Sequence, residues 1–174
     1  MLDIAVAYNR YAFLGYEFLT WLWFVVEKDR DFLAAIEPEM TTLGLGNRVV
    51  LENRIQEAIE SITIKGDDAG LEEGLLALRK GAVVTELNLV YRIGEQEWRI
   101  TVKGESFNIT NLKTPEIGAI ETREDIEGFL LEKVYLYEKI VRLIDKLYAG
   151  FLRHRLSADW NKRVLPLLKQ WIHE

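Results

Sequence analysis

AVVTELNLVYRIGEQEWRITVK, residues 82–103, decides the fold. Leu87, Leu89, Tyr91 and Ile93 fall at every second position. After Gly94-Glu95 the alternation resumes, with Trp98, Ile100 and Val102 set against Arg99, Thr101 and Lys103. A period of two places successive side chains on opposite faces of a strand. A two-residue connection containing glycine joins antiparallel neighbours. The stretch therefore reads as a hairpin with one apolar and one mixed-charge face, and the apolar face requires a second layer to cover it.

The same period extends outward from Asn47 to Leu112. Arg48 to Leu51 reads as a first strand and Ala58 to Lys65 as a second. Asp67 or Asp68 is placed to cap a short helix, with Glu72 and Glu73 in its first turns and Gly81 just past its end. Lys103-Gly104-Glu105 turns into Phe107 and Ile109, and Pro115 and Gly118 close the unit. Residues 29–46 read as loop with at most one short turn, punctuated by Pro38, Gly44 and Gly46.

The covering layer comes from the two ends. Residues 2–28 read as a helix holding FLGYEFLTWLWF, Phe13 to Phe24, with Gly15 as a candidate kink. So much aromatic surface must be covered by the protein's own core or by a partner. Glu17 inside it requires a place at the helix margin or an Arg partner from the C-terminal helices. Thr122 with Asp125 approximates a capping box for a helix over 123–155. Its Leu130, Val134, Tyr137, Val141, Ile144, Tyr148 and Phe151 step alternately by three and four, a heptad seam widened by Leu136, Ile140, Leu143 and Leu147. Ser157 is placed to cap a last helix with Trp160, Val164, Leu167, Leu168 and Trp171. The expected fold is α+β in a single domain over 1–174. An antiparallel sheet of four or five strands with one short helix spans 47–113, and the helical layer is formed by 2–28 and 122–173.

Bulk composition narrows the function. The formal charge of −6 argues against a strongly electrostatic nucleic-acid binder, although the last third is nearly balanced. The hydrophobic content of 49 % supports a core without metal or disulfide staples. No cysteine is present, so thiol nucleophiles and zinc-thiolate sites are excluded, and a cytoplasmic location is expected. The start MLDIAVAYNR lacks a basic n-region, and the apolar run Phe18 to Val26 is too short to span a bilayer, so no membrane role is expected. His154 and His173 lie on different helices with no carboxylate at ligand spacing, and read as surface histidines. Gly44-Leu45-Gly46 lacks the rest of a phosphate loop. Asn108-Ile109-Thr110 matches a glycosylation acceptor without a secretory signal. Asp67-Asp68 is too small for an oxygen cage. No catalytic, metal or cofactor site is expected, and no enzyme.

Two surfaces remain. Arg92, Arg99 and Lys103 on the charged sheet face, with Lys65 and Lys80 near one edge, are candidate phosphate contacts. Glu86, Glu95, Glu97 and Glu105 are interspersed, as on any solvated sheet face. Trp21, Trp23, Phe24, Tyr137 and Tyr148 are candidate interface residues for a homo-oligomer or another protein; the commoner fate of such residues is internal core.

Two stretches resemble the RdgC family of bacterial recombination-associated proteins. FLGYEFLTWLWF, Phe13 to Phe24, is similar to a Phe-Leu-Gly-Arg-Glu-Phe-Leu-Thr-Trp-Leu-Trp pattern of divergent members, with Tyr16 in place of the Arg. LEEGLLALRKGAVVTELNLVY, Leu71 to Tyr91, followed by a hairpin through Trp98, is similar to the family's helix, Gly-x-Val-Val-Thr-x-Leu strand and hairpin. The resemblance implies a non-enzymatic, nucleoid-associated protein that binds double-stranded DNA without sequence preference, as a ring-shaped dimer that restrains RecA-driven strand exchange. It also implies a protein partner in recombination. Two departures stand out. Typical members are considerably longer. They also carry basic and amide residues near the end of the second strand, where this chain has Lys65, Gly66, Asp67 and Asp68.

Overall fold

The computed structural model describes residues 4–55, 58–66 and 70–174. Five strands form one antiparallel sheet: β1 (Thr42–Ile55), β2 (Ala58–Lys65), β3 (Val83–Ile93), β4 (Gln96–Lys103) and β5 (Ile109–Lys113), in the spatial order β2-β1-β3-β4-β5. The helices are α1 (Ile4–Lys28), α2 (Arg30–Ile36), α3 (Gly70–Arg79), α4 (Asp125–Leu156) and α5 (Leu165–His173), with a π-helical turn at Trp160–Val164 between the last two. The α+β architecture expected from the sequence is the one observed.

One face of the sheet is the core. Leu87, Leu89, Trp98, Ile100 and Val102 are fully buried there, with Tyr91 nearly so. Phe18, Leu19, Leu22 and Trp23 of α1, and Leu75 and Ala77 of α3, belong to the same cluster. Each such side chain stabilises the fold by about 1.5–3 kcal/mol relative to an exposed one. The indole Nε1 of Trp98 donates to the carbonyl of Leu136 at 3.0 Å, which ties α4 to the sheet. Further along α4, Tyr148 and Phe151 ring Phe18 at centroid distances of 5.2 and 5.7 Å.

Gly15 lies within the continuous helix α1. It sits where the helix meets the β4–β5 turn, and a Cβ there would lie 1.7 Å from the carbonyl oxygen of Gly104. Two backbones touch at that point, and only a residue without a side chain permits it.

Residues 29–46 depart from expectation. Asp29 caps α2 by accepting from the Phe32 amide at 3.1 Å. Strand β1 then begins at Thr42, six residues before the expected start at Arg48. Gly44 and Gly46 read as loop punctuation but lie within the strand. The Asn88 side-chain oxygen lies 1.7 Å from where a Cβ of Gly46 would be, and the β1–β3 register shifts between Leu45 and Val49. A strand glycine here marks a bulge and a close approach.

Other local expectations meet the structure directly. The Thr122 amide and hydroxyl both donate to the Asp125 carboxylate at 2.8 Å, the acidic half of the expected box, while the N-cap of α4 is Glu124 without a side-chain cap. Ser157 instead closes α4, its hydroxyl donating to the His154 carbonyl at 2.8 Å. The Asp67 and Asp68 caps lie outside the described residues.

Candidate nucleic-acid interface

The sheet's second face carries the charge. Strand alternation and register place Arg48, Lys65, Arg92, Arg99, Lys103 and Lys113 on it, with Glu52, Glu86 and Glu97. Among the described residues, that is six basic side chains against three acidic ones, in a chain whose formal charge is −6. The helices that contact the sheet do so from the other side, through the core cluster.

The charges fall in two clusters. Lys65 pairs with Arg48 across β2 and β1, and Glu86 pairs with Lys103 across β3 and β4. Glu86 lies 3.5 Å from Arg48 and 3.4 Å from Lys103. In the second cluster Arg92 faces Glu97, and Arg99 faces Lys113. Glu97 lies 2.6 Å from Arg92 and 2.7 Å from Arg99. Hydrogen bonds from the Arg99 and then the Arg92 guanidinium hold the Glu97 carboxyl below its usual range. Between the clusters Asn88 donates to the Ile100 carbonyl at 2.9 Å and to the Thr101 hydroxyl at 3.0 Å.

Glu86 and Glu97 are each shared by two cations, so each cluster keeps a positive excess. Strand spacing and rise give the pad a size of about 19 by 20 Å. These pairs are exposed, and exposed pairs are worth about 0–1 kcal/mol. The guanidinium and ammonium groups can therefore trade a shared carboxylate for a phosphate at little cost.

The structure brings together four of the five sequence candidates: Lys65, Arg92, Arg99 and Lys103. It does not bring in Lys80, which occupies the turn after α3, its amide donating to Leu76 and Ala77. Sequence reasoning missed Arg48 and Lys113. Arg48 was legible as the register partner of Lys65. Lys113 was hidden by an irregularity in β5, where Asn111 adopts a φ of 52° and the pairing with β4 shifts.

The aromatic candidates need correction. Trp21 and Trp23 are 0 % exposed and Phe24 is 8 % exposed, so the protein's own core covers them and they offer no partner surface. Tyr148 is half-buried against Phe18 and Phe107. Tyr137 alone of the five is openly exposed. It belongs to a stripe on the first half of α4 with Ile126, Leu130, Val134 and Val141, all exposed. The heptad seam is thus divided: from Ile144 onward it enters the core, and before that it faces solvent.

The titratable groups of the helical layer have structural partners. Arg155 donates to Glu17 at 2.8 Å, the second of the two alternatives the sequence left open. Glu27 accepts from two indoles, Trp23 and Trp171, and so joins α1 to α5; burial pushes its carboxyl above the usual value against those two hydrogen bonds. His154 is half-buried rather than openly on the surface. Its ring lies 4.4 Å from Phe32 and 5.9 Å from Trp21, and burial holds it below the ordinary histidine value. Among the described residues, no three His, Cys, Asp or Glu side chains are placed to hold a metal ion. No described helix is long and apolar enough to cross a membrane.

The chain matches no family model, and no curated protein or solved structure is significantly similar to it.

Proposed function

We propose that this chain is a non-enzymatic accessory protein of the RdgC type that lies against duplex DNA through the outer face of its sheet. The observation that carries the reading is the charge segregation: Arg48, Lys65, Arg92, Arg99, Lys103 and Lys113 share one open face of an acidic chain. Such a pad tracks phosphates and carries no base-reading device, so binding without sequence preference follows. The resemblance of Leu71 to Tyr91 and the following hairpin to RdgC proteins supports the same reading, and makes the nucleoid the place of action and a recombination protein the partner. The test is fluorescence anisotropy with a labelled duplex at low salt. The wild-type chain should bind, and Arg99→Glu with Lys103→Glu should abolish binding. Lys162→Glu with Lys169→Glu, exposed on the C-terminal helices, should leave it unchanged. No binding to any duplex removes the reading.

A second reading, a protein-interaction or oligomerisation module, is favoured by the uncovered stripe on α4. It needs no DNA contact. The two are compatible, because a protein that encircles a duplex must assemble.

A further inference from the structure

We infer that the first half of α4 is the seam of a two-stranded, parallel, in-register coiled coil with a second copy of this chain. The inference rests on the interaction reading above and adds the partner, the residues and the register.

The surface is built as such a seam. In heptad terms Leu130 and Tyr137 occupy d, and Val134 and Val141 occupy a. β-branched residues at a with Leu at d favour two parallel strands. These four are about half exposed, and Leu131 is 65 % exposed. Together with Ile126 the exposed parts come to roughly 600 Å². That is the upper end of the largest patch on an ordinary monomer, and most of the roughly 800 Å² each partner gives to a standard interface.

The flanks select the partner and its direction. Lys133 and Ile126 line the g side, and Glu138 and Leu131 line the e side. In a parallel pair each g residue meets the e residue five positions on in the other copy. Lys133 then meets Glu138, and Ile126 meets Leu131, on both sides of the two-fold axis. An antiparallel pair would set e against e and g against g, bringing Glu138 onto a flank with Asp145 and leaving Lys133 on the other flank without an acidic partner. Lys133 is held by the Thr114 hydroxyl at 3.2 Å and lies over the Tyr137 ring at 5.9 Å, and Glu138 is held by Arg142 at 3.1 Å on the surface. The next g position, Ile140, is buried in the chain's own core, so the g flank is open only as far as Lys133.

The absence of cysteine makes the test clean. Leu130→Cys, Val134→Cys and Val141→Cys are prepared singly, with Arg142→Cys as an off-seam control. Each is oxidised as the full chain after light scattering of the wild type. The expected result is a wild-type dimer that persists at high salt, with each of the three seam variants forming a disulfide-linked dimer at least tenfold faster than Arg142→Cys. Leu130→Glu with Val134→Glu should give a folded monomer by circular dichroism and light scattering. A monomeric wild type overturns both this inference and the interaction reading. A dimer in which Leu130→Cys and Val141→Cys cross-link only when mixed is antiparallel and overturns the register. A dimer with no seam cross-links, unaffected by the glutamates, overturns the inference and leaves the interaction reading standing.

Discussion

Gly15→Ala sets two effects against each other, and the structure says which wins. In an isolated helix the change should stabilise by about 1 kcal/mol, the usual difference between glycine and alanine. In this fold the new Cβ would lie 1.7 Å from the Gly104 carbonyl oxygen. Gly104 cannot easily retreat, because its amide donates to the Thr85 carbonyl at 2.8 Å. Helix and turn must therefore separate by more than an ångström along a seam that holds Phe18 and Leu19, both fully buried. A gap of that size forfeits a quarter to a half or more of each van der Waals contact across it, and overpacking usually costs 1–3 kcal/mol. Because the obstacle is backbone the upper end applies, and less the helix gain the net loss should be about 2 kcal/mol. With a urea slope of about 2 kcal/mol/M, the unfolding midpoint should fall by about 1 M. Gly128→Ala in exposed α4, where a Cβ meets nothing within 4 Å, is the control and should gain about 0.5–1 kcal/mol. A Gly15→Ala variant as stable as the wild type would refute the helix-to-turn contact.

Three further outcomes follow from the helical layer. His154 is held neutral, with Arg163 and Arg153 adding to burial against Asp29 and Asp159. The stability it lends is complete above the unfolded value of 6.5 and is lost as pH falls through the folded value, so urea midpoints should drop from pH 7.5 to 5 and His154→Leu should flatten that slope. Glu27 is shifted the other way, so its contribution is complete below 4.5 and is lost as pH rises through the folded value. The difference between Glu27→Gln and wild type should therefore move in the variant's favour from pH 4 to 7 in the same assay. Trp98→Phe removes the buried donor to Leu136 and should cost about 1–2 kcal/mol in thermal or urea unfolding.

Much of the fold was legible because strong periodicities carried it. Residues 82–103 alternate through both strands of the hairpin, and the Thr122–Asp125 box marked the start of α4 within two residues. Residues 29–46 were misread for a physical reason. Gly46 breaks the strand pattern because Asn88 fills the space its side chain would need, and that contact is invisible before the strands are paired. α2 has seven residues and little periodicity to show. The charged face was half legible. Arg92, Arg99 and Lys103 alternate in plain view, whereas Lys113 depends on the phase change at Asn111. The aromatic residues show the limit most clearly. Trp21 and Tyr137 both sit on apolar stripes of their helices, and packing tells that one is enclosed and the other open. The seam in α4 is continuous in sequence, so its division at Ile144 could not be read from spacing.

The most direct measurement of the central claim is the salt dependence of duplex affinity. Six cations offset by the three carboxylates on the same face should neutralise about three phosphates, giving a slope of log K against log salt of about −2.7. Reversing Arg99 and Lys103 should remove binding, or reduce the slope by about two where any remains. A slope near zero, or one that the double reversal leaves unchanged, would contradict the account.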